Sequence, residues 1–80
     1  MNFNARLPIT DLAITVTFPA NVVFSVPPII HVTIEGAPTH VAITRNAEET
    51  GGLGFVYTSV LFEFQAAALG KHFNISVFSE

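Results

Sequence analysis

Residues 12–35 carry two runs in which large apolar side chains alternate with small or polar ones, separated by a proline-bearing loop. Leu12, Ile14, Val16 and Phe18 fall on one face of an extended strand, with Ala13, Thr15 and Thr17 on the other. This follows because successive side chains of a strand point to opposite sides. Pro19 has no N–H to give a ladder and ends the run. In the second run, residues 28–35, Ile30, Val32 and Ile34 share a face, and Ile29, His31, Thr33 and Glu35 share the other. Pro27 and Pro28 hold its start extended. The intervening loop contains Val22, Val23 and Phe24, too apolar to be freely solvated, and is expected to lay Phe24 over one end of a core.

Residues 1–11 mix Asn, Arg, Pro and Asp without a sustained period and read as a lead-in segment along the domain edge. Residues 12–80 then form a single domain. Gly36, Ala37 and Pro38 signal a turn. Residues 39–45 predict a third strand with Val41 and Ile43 inward. The glycine-rich polar window 46–52 predicts a surface loop. Phe55 and Tyr57 share one face of a fourth strand opened by Gly54. A fifth, residues 60–65, sets Val60, Phe62 and Phe64 inward, and a last, 72–78, does the same with Phe73, Ile75 and Val77. Residues 66–69 have helical propensity but are too few to nucleate a helix, so a single turn or a wide loop is expected. The fold class is all-β, a six-stranded antiparallel β-sandwich.

Composition adds the question of assembly. The 80 residues allow one domain, which at this size buries only about 60–65% of its unfolded surface. Cysteine is absent, so disulfides and thiolate metal sites are excluded. Half the residues are hydrophobic and 11% are charged, against about 25% charged in an average domain. That excess predicts burial against another copy or a parent chain. The net charge of −3 and three scattered cations, Arg6, Arg45 and Lys71, disfavour a nucleic-acid partner. No apolar run is long enough to span a membrane as a helix. The start, MNFNARLPITD, lacks the apolar core of a secretion signal.

Candidate chemistry is sparse. His31, His40 and His72 have no ligand-like spacing with one another or with carboxylates, so no metal is expected. No nucleophile elbow occurs, and Glu63 is a lone carboxylate on an outward face, so no enzymatic activity and no cofactor are expected. The glycines at 52 and 54 precede no helix and form a turn rather than a phosphate loop. Asn74-Ile75-Ser76 matches a glycosylation triplet that arises often by chance. What remains is binding: polar faces of Thr, Ser, Asn, His, Tyr and Gln suit neutral, hydroxyl-rich ligands.

The order ITVTFP, loop, PPIIHVTIEG, HVAITR, polar loop, LGFVYT and FNISVF resembles the H-type lectin domain across residues 12–78. That family includes snail agglutinins and the C-terminal domain of discoidins, and similar modules occur in phage tail fibres. The resemblance implies a trimer that binds surface glycans, often N-acetylgalactosamine or related sugars, near subunit boundaries. His40 stands where the family places a sugar-contacting arginine, and the tryptophans common near the family's last strand are absent here. Expected ligand contacts are His40, Arg45, Tyr57, Glu63 and His72, and the expected setting is extracellular or a virion surface. The rival expectation is a ligand-free trimerisation or capping domain of a fibre or virion, with the Ile29–His31–Thr33 face as its interface.

Overall fold

The computed structural model describes residues 2–36, 39–49 and 54–79. Six strands follow in order: β1 (Asn2–Pro8), β2 (Ala13–Thr17), β3 (Ile29–Ile34), β4 (Val41–Glu49), β5 (Phe55–Phe64) and β6 (His72–Phe78). They form two three-stranded antiparallel sheets, β1-β6-β3 and β2-β5-β4. The arrangement is all-β and sandwich-like, with the inner faces of both sheets contributing to one apolar layer.

That layer follows the alternation. Val16, Val60, Phe62 and Phe64 from one sheet meet Phe73, Ile75 and Val77 from the other, all buried. The Phe73 ring lies 5.5 Å from Phe62 and 4.9 Å from Phe64, joining the sheets through tilted aromatic contacts. Each fully buried side chain of this size contributes about 1.5–3 kcal/mol, and such ring pairs add about 0.5–1.5 kcal/mol. Phe24 is buried as expected, edge-on to Phe18 at 5.5 Å, and its carbonyl accepts the Tyr57 N–H. The other end is closed by a single 3₁₀ turn, Ala66–Ala68, with Ala68 buried. There Gly70 donates to the carbonyl of the buried Ile9, and Ile9 donates to that of Lys71.

The strand count of six agrees with the sequence reading, but two of its members differ. Residues 2–8, read as part of a lead-in segment, form a complete strand paired along its length with β6. Phe3, Ala5 and Leu7 face the core, and Pro8 is accommodated because β1 is an edge strand. The predicted fourth and fifth strands are one continuous β5. Its register against β4 slips between Asn46 and Ala47, where Thr58 is the extra residue. A bulge of this kind shifts the side-chain phase by one. Tyr57 therefore packs on the core beside even-numbered Val60 and Phe62. The window read as a loop is strand as far as Glu49, and positions 50–52 lie outside the described residues, as do Ala37 and Pro38 of the predicted turn. Gly36 does take the positive φ that this turn requires, +75°. Leu12, assigned to the inner face, is instead exposed, just before β2 begins at Ala13.

Candidate functional site

Each sheet turns one face outward, and the two faces differ in chemistry. On β1-β6-β3, cross-strand register builds rows of side chains. Asn4, Ser76 and His31 form one row, and Arg6, Asn74 and Thr33 the next. Pro8 and His72 continue the series to Glu35, whose N–H donates to the His72 carbonyl just past the end of β3.

Glu35 organises this face. Its carboxylate accepts hydrogen bonds from Arg6 Nε at 2.7 Å, from Arg6 Nη2 at 2.9 Å and from Asn74 Nδ2 at 2.7 Å. The Arg6 hydrogen bond, then that of Asn74, hold the Glu35 carboxyl down at about 2, with desolvation opposing and His72 adding a smaller attraction. The same pairing raises Arg6 above its ordinary value. Arg6 and Glu35 are 56% and 42% exposed, so the pair orders side chains more than it stabilises the fold. The next row ends on His31, whose ring meets Phe78 edge-on at 5.3 Å. Asn4, Arg6, His31, Thr33, Asn74 and Ser76 line a shallow, open depression of about 490 Å³.

A second depression, of about 500 Å³, lies between β3 and the start of β4, lined by Val32, Thr33, Ile34, Thr39, His40 and Val41. Thr33 borders both. Thr39 Oγ1 donates to Gln65 Oε1 at 2.5 Å, tying this segment to the end of β5.

The residues expected to contact ligand are spread over the molecule. His72 lies on the outer face of β1-β6-β3 beside Glu35, and His40 borders the neighbouring depression through Thr33. Arg45 sits on the core-side phase of β4, and its Nε donates to the Pro28 carbonyl at 2.8 Å, tying β4 to the segment just before β3. Tyr57 packs against the core and pairs with Phe24. Glu63 projects from the opposite outer face, between Ala13 and Ala42. That face also carries Thr15, Thr17, Leu61 and Thr44, with Asn46 Nδ2 donating to Ser59 Oγ at 3.2 Å. Where all three strands pair, Glu63 is the one charged side chain on this face; Glu48, in the same phase of β4, lies beyond the end of β2. A single protomer therefore sets His72 and Glu63 on opposite outer faces, with His40 at the depression between β3 and the start of β4.

The Arg6–Glu35–Asn74 group escapes sequence reading. The outward positions of β3 and β6 read as polar from the alternation, but Arg6 and Asn4 belong to a strand whose period Ala5 and Pro8 obscure. Among the described residues no group of three or more His, Asp or Glu side chains is placed to hold a metal, and no helix is long and apolar enough to cross a membrane. Comparison with protein-family models, curated proteins and solved structures gives no match to this chain.

Proposed function

We propose that this chain is a carbohydrate-binding module of H-type-lectin-like architecture, assembling as a homotrimer and recognising cell-surface glycans from an extracellular or virion surface. One observation carries the reading: the outer face of β1-β6-β3 is a rigid sheet presenting amide, hydroxyl, imidazole and guanidinium groups around a shallow depression. Sugar hydroxyls both donate and accept, and such mixed groups answer them at little ordering cost because the strands hold them in register. An open site of this kind binds weakly, and three linked copies raise the effective affinity by local concentration.

A second reading, a ligand-free trimerisation or capping module, draws on the other outer face. Where its three strands pair, Ala, Thr and Leu side chains surround the single charge of Glu63, a composition suited to contact with another subunit. A fluorescently labelled chain on a broad glycan array separates the two. Saturable binding to a defined glycan class is expected, and a folded protein that binds nothing across bacterial and animal glycans would favour the structural role.

A further inference from the structure

Resting on the glycan-binding reading above, we propose that the ligand face is the Asn4–Arg6–Thr33–Asn74–Ser76 patch and that it selects neutral saccharides over carboxylated ones, with Glu35 as the selecting residue. Strand spacing makes the patch about 10 Å across three strands and about 7 Å between its two rows, the footprint of a mono- or disaccharide. Both rows come from paired β-strands rather than loops, so the groups are pre-positioned. The His31–Phe78 ring pair borders one end with apolar surface on which a sugar's C–H face can rest.

Selection follows from the charge on the patch. A uronate or sialate carboxylate is captured best by a guanidinium fork that is open to it. Here two nitrogens of Arg6, Nε and Nη2, are bonded to the two oxygens of Glu35. Glu35 already holds the side-on edge of the guanidinium, so an incoming carboxylate is left the Nη1 end and is repelled by the adjacent Glu35 carboxylate, within a chain whose net charge is already −3. A neutral hydroxyl suffers neither penalty. Asn74 uses its amide N–H on Glu35, so it offers a ligand its acceptor Oδ1, while Ser76 and Thr33 hydroxyls can donate or accept.

The test compares the intact chain with single variants on immobilised neutral oligosaccharides, N-acetylhexosamine- and hexose-based, and on matched uronate-containing ones. The wild type is expected to bind the neutral panel at least tenfold better. Ser76→Ala and Asn74→Ala should each weaken neutral binding five- to tenfold, with unchanged urea midpoints for Ser76→Ala because that side chain is on the outer face. Glu35→Gln should free Arg6 and raise uronate binding at least tenfold over wild type, with a new salt dependence. Equal wild-type binding to both panels, or no uronate gain in Glu35→Gln, overturns the selectivity. Neutral binding that survives Asn74→Ala, Ser76→Ala and Thr33→Ala overturns the site while leaving the lectin reading standing. Binding to neither panel overturns both.

Discussion

Glu35 is the residue whose electrostatics reach furthest across this surface. It binds Arg6 from β1 and Asn74 from β6, so one carboxylate ties three strands on their outer side. Its folded-state value of about 2 lies below the usual 4.5, which sets a sign for the pH dependence. The group stabilises the fold fully above pH 4.5, and the contribution disappears as pH falls towards 2. Urea midpoints measured across that interval should fall more steeply for the wild type than for Glu35→Gln, with the two curves converging near the lower limit. The difference will be small, because both partners are exposed and screened. Parallel curves would mean the hydrogen bonds do not persist in solution. Phe73 shows the contrasting case: fully buried between Phe62 and Phe64, it acts through packing alone and was assigned to the core from alternation.

At the scale of elements, β1 decides how much of the chain is domain. Leu7 faces inward and is half-buried opposite Phe73. Leu7→Ala should therefore cost about 2 kcal/mol in urea unfolding, the low end for removing an apolar core side chain. A change within about 0.5 kcal/mol, as for surface positions, would return residues 2–8 to a dispensable lead-in. The alternation in NFNARLP was present in the sequence, but a small Ala5 at its centre and Pro8 at its end hid it. The split of β5 has a different cause. Phe55 and Tyr57 are odd-numbered while Val60, Phe62 and Phe64 are even, so a single strand reads as two out-of-phase ones. The bulge opposite Asn46 and Ala47 reconciles the phases, and no periodicity rule locates it in advance. Polar residues 46–49 read as loop because this part of β4 extends past the end of β2, whose last paired residue is Thr17, and lacks core contact.

At the scale of the molecule, shape and surface bear on assembly. The Cα trace measures 42 × 19 × 18 Å, and a chain this small and elongated buries little of its own surface. Exposed apolar side chains gather towards opposite ends of β5: Val23, Val26 and Phe55 near its start, Leu12 and Leu69 near its end. If the chain assembles as the homotrimer proposed, light scattering should give three times the 8.6 kDa chain mass. The urea midpoint should then rise with protein concentration, since association stabilises the folded state by mass action. A concentration-independent midpoint at the mass of one chain would remove the trimer.

Alternation alone located the residues that must be dry. Val16, Phe62, Phe64, Phe73, Ile75 and Val77 all follow it and are buried, because burial of one strand face imposes a period that each strand carries locally. The polar outward positions of β3 and β6 were legible for the same reason. Strand neighbours were not legible, and the ligand patch depends on them. Arg6 meets Glu35 across 29 positions of sequence, and Asn74 meets it across 39. Only the order β1-β6-β3 brings the three together. Periodicity records which way a side chain points; which strand it lies beside is set by how the two sheets close over one shared core.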